Sequence, residues 1–172
     1  MFGADDALAR ADWPFLKDGP VTLFWRPALF DAAKADLRAL GYLLPEITCR
    51  SEEQFILALS EALGWKALFG YEPWTGNLNA LDDAFWSWGF GEARDVALCL
   101  GDFHVLAREG RGEFAGCLLD IIARAHRRYL LRGRRLLALV QTNDATYSCD
   151  GLGATDAHWN DREWLNVRRG PQ

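Results

Sequence analysis

Hydrophobic positions along this chain fall into short continuous runs, separated by stripes with helical spacing. The runs are rich in β-branched, aromatic and other apolar residues, and they predict strands over residues 21–25, 42–48, 96–100 and 135–140. The stripes between them predict helices over residues 27–40, 52–63, 77–88 and 113–132. Continuous apolar strands that alternate with helices predict an α/β fold, with a parallel sheet of about four strands flanked by helices.

Turn and capping residues support these helix limits. Pro27 suits the first helical position, and Ser51 with Gln54 has the spacing of a capping box. Asn77 stands where the third helix begins. The polar tail over residues 142–172 predicts loops with a short helix near residues 160–163. The chain length of 172 residues favours a single domain over residues 1–172.

The stretch GNLNALDDAFWSW, residues 76–88, predicts an amphipathic helix with an unusual outer face. One side is apolar, at steps of three and four residues: Leu78, Leu81, Phe85 and Trp88. The opposite side carries polar and acidic residues with an aromatic among them: Asn79, Asp82, Asp83 and Trp86. A surface that binds another protein explains this combination, and a solvated helix face above core tryptophans is the alternative.

Charge is distributed unevenly along the chain. The net charge is −5, which argues against a general nucleic-acid binder and favours a basic partner. Between residues 71 and 95 five acids accompany one base, whereas six arginines and no acid lie between residues 124 and 135. The arginine cluster fits either a patch for an anionic partner or a solvated helix end whose cations suit the helix dipole.

Motifs for catalysis or for metal binding are not evident. The histidines are scattered, and no serine lies in a nucleophile elbow. The four cysteines show no metal-ligand spacing and are expected to be reduced thiols. The first 16 residues carry no signal-peptide pattern, and no apolar run is long enough to span a membrane. We therefore expect a cytoplasmic protein without cofactor, metal or catalytic site that acts by binding.

Residues 73–83, PWTGNLNALDD, resemble the signature of the barstar family, in which an aromatic pair and a glycine precede Asn-Leu-Asp-Ala-Leu and a further aspartate. The predicted order of strands and helices agrees with that family over about residues 42–141. On this comparison the strand and helix at residues 21–41 are an addition in front, and residues 142–172 are a C-terminal extension.

The resemblance implies a function. Members of the barstar family are intracellular inhibitors, or immunity proteins in toxin–antitoxin pairs, that block the cationic active site of a basic ribonuclease with a loop and an acidic helix. On this comparison Asp83 matches the principal inhibitory aspartate, and Trp88 lies beside the interface. The full set of residues expected to bind a basic ribonuclease or a nuclease-type toxin is Trp74, Gly76, Asn77, Asn79, Asp82, Asp83, Trp86 and Trp88.

The chain also departs from the family pattern. Asn79 replaces a second carboxylate of the helix, and Asp82 replaces an aromatic. The loop glycine is Gly76, one place later than usual, and Arg128 aligns with an acidic contact residue. These differences leave open an alternative function, a non-catalytic module for binding protein or RNA that has lost nuclease inhibition.

Overall fold

A computed structural model describes residues 10–87, 90–108, 112–153 and 155–164. These residues form an α/β fold with one parallel sheet, whose strand order is β2-β3-β4-β1-β5. The strands are β1 Val21–Phe24, β2 Glu46–Thr48, β3 Asp95–Gly101, β4 Arg135–Gln141 and β5 His158–Trp159. The helices are α1 Trp13–Leu16, α2 Pro27–Ala39, α3 Glu52–Ala62, α4 Trp65–Phe69, α5 Leu78–Trp86, α6 Phe103–Arg108, α7 Gly112–Leu130 and α8 Asp161–Trp164.

The central strands β3 and β4 divide the core into two parts because successive side chains of a strand point to opposite faces of the sheet. Val96, Leu98 and Leu100 pack with the larger cluster, which includes residues of α3, α5 and α7. Ala97 and Cys99 pack with the smaller cluster, which includes residues of α1 and α2. The predicted α/β architecture, a parallel sheet flanked by helices, is confirmed.

The sheet has five strands in the described residues, one more than the number predicted. The additional strand, β5, lies in the tail that was expected to be loop and short helix, and it pairs with β1 through Leu23 and Trp159. A strand of two residues is too short to show a period. The strand β1 lies between β4 and β5 and is thus an internal part of the sheet.

The predicted strand over residues 42–48 is only partly regular. Strand β2 covers Glu46–Thr48, and Leu43 forms an isolated bridge with Val96. Pro45 interrupts the regular ladder because it has no backbone N–H to donate. The helices α1, α4 and α6 were not predicted, since four to six residues give too little periodicity to recognise.

The tail is fastened to the body through Glu163 of α8. Its carboxylate is buried and accepts hydrogen bonds from the backbone N–H groups of Trp25 and Arg26, at 2.8 and 2.6 Å. This contact lies between β1 and α2, near the predicted helix start at Pro27. The short helix expected near residues 160–163 is therefore present and is held against the sheet.

In the part of the chain that is described, no helix combines the length and the apolar character needed to cross a membrane.

Candidate functional site

The loop before α5 is fixed by Asn77. Its side-chain oxygen accepts hydrogen bonds from the backbone N–H groups of Asn79 and Ala80, at 2.9 and 3.4 Å. Gly76 precedes it with φ of +86°, a left-handed conformation that a glycine adopts without strain. The prediction that Asn77 begins this helix is confirmed. The cap and the turn together set the direction in which α5 leaves the loop.

Trp74 does not lie on the surface, so the expectation that it packs on a partner is wrong. Its side chain is 1% exposed and its ring lies 6.1 Å from those of Trp65 and Phe114, measured between ring centroids. The indole Nε1–H donates to the carbonyl of Asn77 at 2.9 Å, which satisfies its one polar group inside the protein. The backbone N–H of Trp74 donates to the hydroxyl of Ser60. Trp74 thus anchors the loop to the core.

Helix α5 has the two faces that the sequence predicts. Leu81 and Phe85 are fully buried and Leu78 is half-buried, whereas Asn79 and Asp83 are exposed. The helix ends at Trp86, two residues before its predicted end. The predicted site residue Trp88 lies outside the described residues.

Asp82 and Asp83 are neighbours in sequence with different surroundings. Arg128 of α7 donates from Nη2 to Asp82 Oδ1 at 2.9 Å, and Arg124 Nη1 lies 3.9 Å from Asp82 Oδ2. Asp82 is half-buried and its charge is offset by α7, so its predicted role as a partner-binding carboxylate needs correction. The reason is that α5 packs directly against α7, which brings a cation to a carboxylate 46 residues away.

Asp83 remains available on the outer face. It is exposed, and within the described residues its carboxylate accepts no hydrogen bond and joins no ion pair. Asn79 lies one helical turn before it on the same face. Asp83 and Asn79 therefore present an anion and a neutral amide side by side to solvent.

Two arginines of the last part of the chain lie beside the ring of Trp86. The guanidinium carbons of Arg128 and Arg132 lie 5.0 and 5.3 Å from its ring centroid, within cation–π distance. The side chain is nevertheless 55% exposed. We call Trp86, Arg128 and Arg132 the Arg–Trp cluster. It accounts for the aromatic residue beside carboxylates, because the tryptophan packs with arginines that the sequence places more than 40 residues away.

The five acids between residues 71 and 95 contribute less net negative charge to the surface than their number suggests, because some of them are paired with cations. Besides Asp82, Glu72 lies 3.4 Å from Lys66, and Asp95 is paired with Arg135 at 2.9 Å. Three of the five acids therefore have a cation beside them. The surface around α5 is mixed in charge, with Asp83 on one side and the Arg–Trp cluster on the other.

His126, Cys49 and Cys99 are buried in the core. Burial lowers the pKa of His126, whose Nδ1 lies 2.7 Å from the carbonyl oxygen of Leu136. Cys49 and Cys99 are free and buried, and burial raises the pKa of each thiol to about 12. Within the described residues, no three His, Cys, Asp or Glu side chains are grouped so that they could hold a metal ion.

The surface therefore consists of a rigid loop–helix junction, an exposed carboxylate and an exposed tryptophan flanked by arginines. This arrangement suits recognition of another macromolecule, because it combines an aromatic anchor with charges of both signs.

Comparison with known proteins finds no family model that matches the chain and no curated protein that is significantly similar to it.

Proposed function

We propose that this protein acts in the cytoplasm as an inhibitor of a basic ribonuclease or of a related nuclease toxin, and that it binds the enzyme through α5 and the preceding loop. The observation that carries the proposal is the exposed Asp83 carboxylate, which has no cation beside it in the described residues. The resemblance of residues 73–83 to the barstar family supports it, as does the parallel α/β sheet.

The physical basis is electrostatic. The active site of a ribonuclease holds arginine and lysine side chains that bind the phosphates of RNA, and a carboxylate in the same place forms charge-assisted hydrogen bonds with them. The Asn77 cap and the buried face of α5 hold Asp83 on a rigid element. Because the loop and α5 are already ordered, they lose less conformational entropy when they bind the enzyme.

The Arg–Trp cluster restricts the choice of target. Arg132 joins no ion pair in the described residues and lies over Trp86, one helical turn after Asp83, so an enzyme that is basic across its whole contact area would be repelled there. The expected target therefore has cations opposite Asp83 and neutral or acidic groups opposite the Arg–Trp cluster.

Titration of ribonuclease activity tests the proposal. Increasing amounts of the protein are added to basic microbial ribonucleases and to any small basic nuclease encoded beside its gene. We expect full inhibition of at least one enzyme at a ratio of one to one. If every such enzyme keeps its activity at micromolar concentrations of the protein, nuclease inhibition is excluded.

A second candidate is supported by Arg132, which joins no ion pair in the described residues and lies over the exposed ring of Trp86. Cations beside an exposed aromatic are a feature of surfaces that bind single-stranded RNA. A salt titration of RNA binding separates the two candidates. An affinity that falls steeply with salt supports an RNA-binding module, whereas inhibition without RNA affinity supports the first candidate.

A further inference from the structure

A cavity of about 290 Å³ opens at the amino-terminal edge of the sheet. Arg94 directly precedes β3 and Arg135 begins β4, and both line the cavity. Helix α1 forms another wall with Trp13 and Leu16. The volume is near the lower limit for pockets that hold small organic molecules.

Arginines are frequent among the described residues that line the cavity, although the chain is acidic. Among the described residues, the lining includes four arginines, Arg10, Arg94, Arg134 and Arg135, and one carboxylate, Asp12. A second carboxylate, Asp95, pairs with Arg135. Arg10 and Arg135 each pair with an acid, so the case for an anionic ligand depends on Arg94.

Arg10 is held in place by the buried Asp12. Arg10 donates from Nε and Nη2 to the two carboxylate oxygens of Asp12, at 2.9 and 2.8 Å, and Tyr42 donates to the same carboxylate. Burial alone would raise the pKa of Asp12, but the hydrogen bonds from Arg10 and Tyr42 lower it below its ordinary value. Asp12 therefore stays ionised and fixes the plane of the Arg10 guanidinium.

Arg94 supplies donors that are not used within the described residues. Its Nε–H donates to the carbonyl of Gly133 at 3.0 Å, which orients the guanidinium, and its Nη groups make no hydrogen bond or ion pair in the described part of the chain. A guanidinium presents its N–H groups in a plane that matches a carboxylate.

The other walls are apolar. The side chain of Trp13 is 37% exposed and Leu130, at the end of α7, is 46% exposed. Both line the cavity together with Leu16. A ligand with a hydrophobic ring would remove these side chains from water, which is favourable in proportion to the area buried.

We propose that this cavity binds a small aromatic carboxylate, with the ring against Trp13 and Leu16 and the carboxylate on Arg94. None of the described residues expected to bind a nuclease lines the cavity, and the proposal does not depend on nuclease inhibition. It would give the protein a small-molecule ligand in addition to its macromolecular partner.

Fluorescence titration with anilinonaphthalene sulfonate, an aromatic anion, tests the site in the full chain. We expect saturable binding of one probe per protein, displaced by phenylacetate and not by the neutral phenylacetamide. Arg94→Gln should weaken probe binding about tenfold or more, because it removes a charge-assisted contact. The matched control is Arg50→Gln, which replaces an exposed arginine paired with Asp102 after β3 and should leave probe binding unchanged.

A second probe separates charge recognition from unspecific apolar binding. Phenylnaphthylamine has the same ring system without the charge, and we expect it to bind more weakly and to be insensitive to Arg94→Gln. Equal displacement by phenylacetate and phenylacetamide would overturn the proposal. So would an affinity for the anionic probe that Arg94→Gln leaves intact while the variant keeps the wild-type melting temperature.

Discussion

At the scale of single residues, two adjacent aspartates show how packing decides the availability of a charge. Asp82 and Asp83 look equivalent in sequence, yet Asp82 faces α7 and contacts Arg128, whereas Asp83 faces solvent. Neighbouring residues of a helix point about 100° apart, so a partner helix can reach one and not the other. The sequence identifies the acidic positions, but it does not show which of them is paired.

Removal of Arg128 should therefore affect stability through Asp82. Arg128→Ala leaves the half-buried Asp82 carboxylate without its closest cation, so we expect the free energy of unfolding to fall by about 1 kcal/mol. The control is Arg132→Ala, which also removes a cation from Trp86 but contacts no carboxylate of the described residues, and it should cost about 0.5 kcal/mol or less. Urea denaturation measures both values, and equal losses in the two variants would show that the Asp82 contact contributes little.

At the scale of elements, the helices with regular stripes and capping residues were predictable, because both signals are local. Asn77 and Ser51 mark the starts of α5 and α3, and each side chain accepts the expected hydrogen bond from the first turn. The burial of Trp74 was not predictable. The position of its ring depends on contacts of this loop with Ser60 of α3 and Phe114 of α7. A turn-rich loop with aromatics does not reveal which ring enters the core.

The two capping residues provide a paired test of the role of α5. Asn77→Ala and Ser51→Ala each remove a side-chain cap, and we expect each to lower the free energy of unfolding by about 1 kcal/mol. Only Asn77→Ala should also weaken inhibition of the target ribonuclease, because the first turn of α5 orients the binding surface. If Ser51→Ala weakened inhibition to the same extent, the effect would reflect general stability.

At the scale of the whole molecule, the parallel sheet was predictable because buried strands without polar alternation have few other arrangements. The fastening of the tail was not predictable. Strand β5 has two residues, and Glu163 caps backbone N–H groups between β1 and α2 from a position 137 residues later in the chain. Such contacts follow from the final packing and leave no periodic pattern in the sequence.

The whole fold should also lose stability in mild acid. Burial lowers the pKa of all three histidines, His104, His126 and His158. The unfolded chain then binds protons more readily than the folded one, so stability is greatest above the unfolded histidine pKa of about 6.5 and is lost as the pH falls through the lower folded values. Denaturation at a series of pH values measures this slope.

Substitution of single histidines checks the origin of this acid sensitivity. His126→Gln should reduce the slope more than His104→Gln, because His126 is buried and His104 is only partly so. Stability that is constant between pH 7.5 and 5, or that increases toward acid, would contradict the expectation.

The affinity of the target ribonuclease for an Asp83 variant tests the proposed mode of binding most directly. Asp83→Ala should weaken binding by about 2 kcal/mol or more, which corresponds to a Kd about thirtyfold higher, with the melting temperature unchanged. The control is Asp36→Ala, which removes an exposed aspartate of α2 and the same unit of charge. We predict a large loss of affinity for Asp83→Ala and almost none for Asp36→Ala, whereas equal affinities of the two variants would contradict binding through Asp83.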